Sequence, residues 1–151
     1  MKYVLTFILC MVASVAFAAE DISGLWKTID DETGEAKSIV QVYEYQGAHY
    51  GRVIKLFKNP DKTAVGIKGD PKIVGLDVIW DLKDEGERFK GGKILDPAKG
   101  KIYTCEAWVE GDKLIVRGKI GPFGRNQTWL KSDDKTMRAI KNPVPQIPEK
   151  E

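Results

Sequence analysis

Histidine and cysteine are nearly missing from this chain. Its 151 residues hold one histidine, His49, and two cysteines, Cys10 and Cys105. Cys10 falls in the N-terminal leader described below, so Cys105 stands alone. No intramolecular disulfide is then possible, and stability must come from a packed core. One histidine and one cysteine cannot build a zinc site without carboxylates, and no metal-ligand spacing occurs. A charge excess is also lacking: 24 basic against 22 acidic residues gives a formal net charge of +2. That balance supplies no electrostatic drive toward nucleic acid or an anionic membrane. There is no Gly-x-Ser-x-Gly elbow, phosphate loop or dinucleotide fingerprint, and no amphipathic helix pattern. Nothing implies a cofactor, and the chain is expected not to be an enzyme.

The one long apolar run is N-terminal. Tyr3 to Phe17 is interrupted only by Thr6, Cys10 and Ser14, follows Lys2, and leads into Ala16-Phe17-Ala18. Positive start, apolar middle and small-x-small site are the features of a secretory signal peptide cleaved after Ala18. Phe7-Ile8-Leu9 before Cys10 offers no small residue for lipid attachment, so lipidation is rejected. Removing the first 18 of 151 residues leaves 133, enough for one domain. Loss of Lys2 takes the net charge from +2 to +1. The expected location is periplasmic or secreted, with no integral membrane segment after cleavage. The expected organisation is a leader over 1–18, one folded domain over 19–141 and an extended, loosely held Pro-rich tail over 142–151.

What the chain does have is short strands and turn residues. Ser23 to Ile29 reads as a strand, followed by the acidic turn Asp30 to Gly34. Lys37 to Tyr45 and Tyr50 to Phe57 flank Gln46-Gly47 as a hairpin. Lys58 to Lys72 is irregular and suits a surface loop for a lid or partner contact. Leu76, Val78, Trp80 and Leu82 alternate with Asp77 and Asp81, which predicts a half-buried strand with the aspartates outward. From Phe89 to Trp129 alternating runs are cut by Asp96-Pro97, Glu110-Gly111-Asp112 and Gly121-Pro122, a succession of hairpins. Arg125 to Lys131 and Thr136 to Ile140 read as the last strands. Gly91-Gly92 inside a strand reads as a bulge or a close backbone approach. The fold class is all-β: one antiparallel up-and-down barrel of eight to nine strands. Trp26 is placed to plug one end, with Arg125 or Arg138 to stack on it; Trp129 joins Trp26 and Arg125 as a structural residue.

Several motifs together resemble one bacterial exported family, domain of unknown function 2147. They are Gly24-Leu25-Trp26, Asp30-Asp31-Glu32-Thr33-Gly34, Tyr50-Gly51-Arg52-Val53, Gly91-Gly92-Lys93-Ile94-Leu95-Asp96-Pro97, Gly100-Lys101-Ile102-Tyr103, Leu114-Ile115-Val116-Arg117-Gly118 and Phe123-Gly124-Arg125-Asn126-Gln127-Thr128-Trp129. The Gly-x-Trp opening also resembles lipocalin and fatty-acid-binding barrels. The resemblance implies a compact lipocalin-like barrel in a bacterial envelope setting and no established activity.

Candidate chemistry is sparse. His49, beside a hairpin turn, reads as a solvated side chain. Asp30, Asp31 and Glu32 offer oxygen ligands suited to Ca²⁺, but a solvated turn is the favoured reading. Asp77 and Asp81 lie roughly 13 Å apart along a strand, too far for a glycosidase pair. Polar residues inside strands are more informative, because a buried charge needs a partner or a polar ligand. Arg52, Glu106, Arg117 and Gln127, with Tyr50, Tyr103 and Trp108 as aromatic walls, form the candidate ligand-binding set. The competing reading turns the arginines to solvent or ties them into a structural Arg–Glu network. The leading expectation is a monomeric, non-catalytic periplasmic module for a small, partly apolar ligand. The alternative is a protein-interaction module, an inhibitor or accessory factor of an envelope enzyme. Nucleic acid is not an expected partner.

Overall fold

The computed structural model describes residues 14 and 18–151. Apart from Ser14 and Ala18, the leader expected over 1–18 lies outside the described residues. Eight strands follow in order: β1 (Gly24–Ile29), β2 (Ala36–Tyr45), β3 (Ala48–Leu56), β4 (Asp77–Asp84), β5 (Phe89–Asp96), β6 (Lys101–Glu110), β7 (Lys113–Ile120) and β8 (Phe123–Lys131). Each pairs antiparallel with the next and β8 returns to β1, closing the barrel. Two-residue and other short turns allow this, since antiparallel neighbours need no crossover. Among the described residues no helix is long and apolar enough to cross a membrane.

The interior is packed with side chains. Trp26 opposes Val40, which opposes Val53; Ala107 opposes Val116, which opposes Gln127. Trp26, Val40, Leu82, Phe89, Cys105, Ala107, Leu114, Val116 and Trp129 are each at most 3 % exposed and belong to one core. A side chain on Gly92 would lie 2.8 Å from Leu82 and the Trp80 carbonyl. The Gly91-Gly92 pair serves both functions read from it: Gly91 takes φ 74 where the β5–β6 register shifts, and Gly92 is the close approach. Burial pushes the Cys105 thiol up to about 12, as expected of a small apolar core group.

Trp26 does plug the barrel, with its indole N–H donating to the Ile22 carbonyl at 2.9 Å. No arginine stacks on it. Arg125 pairs with Asp31 at the surface, and Arg138 bonds the carbonyls of Lys135 and Met137. Both arginines come from exposed segments whose own neighbours satisfy them before the barrel end is reached.

A second layer covers β2, β3 and β4 from outside. It consists of the 57–76 loop and the C-terminal tail. Ala64, Ile67 and Ile73 anchor the loop at no more than 4 % exposure, while most of its other residues stay exposed. Two expectations are corrected here. Thr136 to Ile140 is not a strand: the backbone of Ile140 bonds the side-chain amide of Gln41 instead of a neighbouring strand, at 2.8 and 3.0 Å. The tail is extended but not loosely held. Lys68 N–H donates to the Glu149 carbonyl, Asp77 N–H to that of Gln146, and Ile67 bridges Lys150.

Beneath this cover lies a buried ion pair. Arg52 Nη2 sits 3.0 Å from Asp77 Oδ2, with the two side chains 9 % and 0 % exposed. Asp77 also accepts from the Tyr43 hydroxyl at 2.9 Å and from the Gln146 N–H, and Arg52 donates to the Val144 carbonyl. Asp77 was expected to point to solvent. It does lie on the outer face, beside Arg52, but the tail covers that face; register shifts at Gly51 meanwhile set Ile79 opposite Gly51 on the inward side. Breaking a buried pair leaves one charge unmatched, which costs on the order of 3–5 kcal/mol. Arg52→Ala and Asp77→Ala are each expected to destabilise by about that much in urea unfolding. The double variant Arg52→Met/Asp77→Leu should lose clearly less than the sum, because neither charge remains.

Candidate functional site

The predicted ligand-binding residues fall in three separate places. Tyr50 and Arg52 lie on the outer face of β3, under the tail. Tyr50 stacks on Tyr43 with centroids 5.7 Å apart, meets Tyr45 edge-on and donates to Asp81 at 3.1 Å. Burial raises the pKa of both tyrosines, helped by Asp77 at Tyr43 and by Asp81 and Asp77 at Tyr50. Arg52 donates through Nη2 to Asp77, Tyr43 and Val144, and its buried Nε has no partner.

Glu106, Trp108 and Arg117 occupy the outer face of β6 and β7, because Glu106 opposes Arg117 and Arg117 opposes Asn126 in the row adjoining the inward one. Glu106 accepts from Lys119 at 2.6 Å and from Arg88 at 3.4 Å. The Lys119 hydrogen bond holds its carboxyl below the usual range. Arg88 lies 3.8 Å over the Trp108 ring. Arg117 bonds Asn126 at 2.9 Å. The structural network foreseen for these strands thus exists, but as Arg52–Asp77 and as Lys119–Glu106–Arg88. Only Tyr103 and Gln127 face inward. Tyr103 packs near Gly118, and Gln127 accepts from the indole N–H of Trp129 at 3.0 Å. Among the described residues, neither the cleft at the Trp26 end nor the one beneath the tail is lined by any of the predicted set.

The arrangement that does converge was not foreseen. A cleft of about 320 Å³ opens at the barrel end where Trp26 sits, lined by Ala19, Asp21, Ser23, Glu44, Gly47, His49, Asp84 and Phe89. The segment before β1, the β2–β3 hairpin and the ends of β4 and β5 supply it. His49 was expected in solvent, yet it is 8 % exposed. It opposes Leu82 and belongs to the inward row, with its ring edge-on to Phe89 at 4.7 Å. Its Nδ1 is buried without a partner. Burial lowers its pKa against the opposing pull of Glu44, Asp21 and Asp84. Asp21 is held below the usual carboxylate range first by the Ser23 backbone N–H, at 2.9 Å. The signal that was available is Glu44 opposing His49 across the Gln46-Gly47 turn. With an even register that pairing sets both on one face, and His49 follows Ala48 into a strand whose next residues are buried.

Comparisons with known proteins agree with this architecture. The family profile described as "Uncharacterized protein conserved in bacteria (DUF2147)" matches residues 24–131. The chain belongs to this family. Among solved structures, a DUF2147 barrel of this kind is similar to protein HP1028 of Helicobacter pylori, described as belonging to the lipocalin family. The TM-score is 0.64 at 24 % identity, over 77 % of this chain and 86 % of that one. That likeness establishes the lipocalin-like fold. No curated protein matches the chain.

A depressed histidine pKa has a defined consequence for stability. The unfolded chain protonates His49 near pH 6.5, while the folded chain resists it until a lower pH. Between those values the unfolded state binds more protons, so stability rises with pH and falls on acidification below about 6.5. His49→Phe is expected to flatten this part of the profile in urea unfolding measured from pH 7.5 to 5. A slope unchanged by the substitution would assign it to other groups.

Proposed function

We propose that this DUF2147 protein is a non-catalytic binding module of the bacterial periplasm, and that it holds a small, partly apolar amine in the His49 cleft. One observation carries the reading: a buried histidine with an unpartnered nitrogen lines a cleft that also gathers three carboxylates. Its volume is at the lower end of small-ligand pockets, at about 300 Å³ and above. Phe89 provides an apolar wall, and Asp21, Glu44 and Asp84 favour a cation over an anion. The packed interior argues against a ligand held deep in the barrel. Export is supported by the apolar segment and Ala-x-Ala site before residue 19. The interaction-module alternative gains support from the same packed interior and from a loop over 58–72 that is mostly exposed.

Thermal unfolding in the presence of phenethylamine, putrescine and a fatty-acid panel tests this. A ligand at 100 times its Kd stabilises by about 2.7 kcal/mol, which raises the melting temperature by several degrees. The amines are expected to produce that rise and the fatty acids none. Glu44→Gln/Asp84→Asn should remove the rise. No shift with any amine, together with no bound species in native mass spectrometry of the purified protein, would refute the proposal.

A further inference from the structure

The opposite end of the barrel carries a different feature. β8 pairs with β7 from Phe123 to Leu130, but with β1 only at Leu130 and Lys131. Phe123 to Thr128 therefore runs as an open edge among the described residues. The two-residue turn Gly121-Pro122 makes Ile120 and Phe123 a hydrogen-bonded pair, and such pairs alternate along an antiparallel ladder. The N–H and C=O groups of Gly124, Asn126 and Thr128 consequently point away from β7. All three residues are exposed. At the hairpin tip Phe123 is 79 % and Ile120 59 % exposed.

Edges of this kind are normally blunted by proline, a bulge or a covering loop. From Phe123 to Thr128 there is no proline, β7 and β8 pair without a register shift, and no cover lies on the edge. What is present is charge of one sign. Between Lys113 and Lys131 the chain has Lys113, Arg117, Lys119, Arg125 and Lys131 and no aspartate or glutamate. Glu106 neutralises Lys119, and Asp31 meets Arg125 across the gap. Arg117 bonds only the neutral amide of Asn126.

We propose that the open edge of β8 is a docking site for an extended, acidic segment of a partner protein, added as a further strand. Backbone groups of the partner would pair with Gly124, Asn126 and Thr128. Its carboxylates would meet Arg117 on the outer face, and an apolar side chain on the opposite face would cover Phe123. A basic surface with an exposed Phe also suits an anionic bilayer. Lipid, however, would leave three outward N–H groups without the ordered acceptors that a strand provides. The site lies at the end remote from the His49 cleft and does not depend on it.

The test uses the purified protein lacking residues 1–18 and three probes: a ten-residue peptide alternating Glu and Val, its Lys/Val counterpart, and vesicles containing phosphatidylglycerol. The Glu/Val peptide is expected to bind and to shift the amide resonances of Gly124, Asn126 and Thr128. Arg117→Glu should weaken it by about tenfold. Asn126→Pro, which removes an edge donor the barrel does not use, should abolish it with little change in melting temperature. Equal binding of both peptides, or amide shifts confined to other strands, overturns the proposal. So does vesicle binding without peptide binding, or self-association through this edge in its place.

Discussion

The Arg52–Asp77 pair sets the conditions for everything around it. Asp77 is fully buried, and an ionised carboxylate at such a position is sustained only by opposite charge and by hydrogen bonds to its remaining lone pairs. Arg52, Tyr43 and the Gln146 N–H supply these. Two of the partners come from adjacent strands, and the third comes from the far end of the chain. The pair therefore links barrel to tail: the tail is ordered because it completes the shell of a buried anion. Tail and loop then exclude water from Tyr43, Tyr50 and Gln41, which would otherwise lie on an exposed sheet face. A polar cluster placed outside a barrel is in this way made into interior.

This arrangement shows why the role of polar residues inside strands is hard to read from sequence. An arginine, a glutamine and two tyrosines alternating into strands look alike in sequence whether they face a pocket or a second layer of protein. The eight strands, their order and the bulge at Gly91 were legible, because alternation and turn residues are local signals. The outward direction of Asp77 was legible too, but its burial was not, because the cover over that face comes from the tail, distant in sequence. The docking of 140–151 was equally hidden, since prolines indicate an extended chain but not what it touches. His49 was misread for the opposite reason. Proximity to a turn suggests exposure, yet the inward parity of β3 overrides position along the strand.

The two barrel ends differ because the strands differ in length. At one end, the chain before β1 crosses the opening and Trp26 bonds back to Ile22, so the closure comes from sequence-local residues. A cleft lies there, with Asp21, Glu44 and Asp84 at its rim and the Ala19 N–H donating to Asp84 at 3.4 Å. The carboxylates cannot enter the apolar interior unpaired, so they remain at its rim. Rim carboxylates around a buried imidazole are a consequence of how this end is capped as much as a candidate recognition surface.

At the other end β1 stops too early for its partner. β1 has six residues and β8 has nine. The cause is Asp30. Its carboxylate accepts from the N–H groups of Glu32 and Thr33 at 2.9 and 3.0 Å, which bends the chain into a turn directly after Ile29. Those hydrogen bonds also hold its carboxyl below the usual range. β8 continues for several residues beyond the last backbone pair that β1 can offer, and only the Arg125–Asp31 contact spans the gap. The open edge thus follows from turn chemistry on the neighbouring strand rather than from weakness in β8, which is fully paired to β7. An edge kept open by a well-formed turn is available in every molecule. One opened by fraying would appear only part of the time, and a partner would then first have to meet the cost of ordering it.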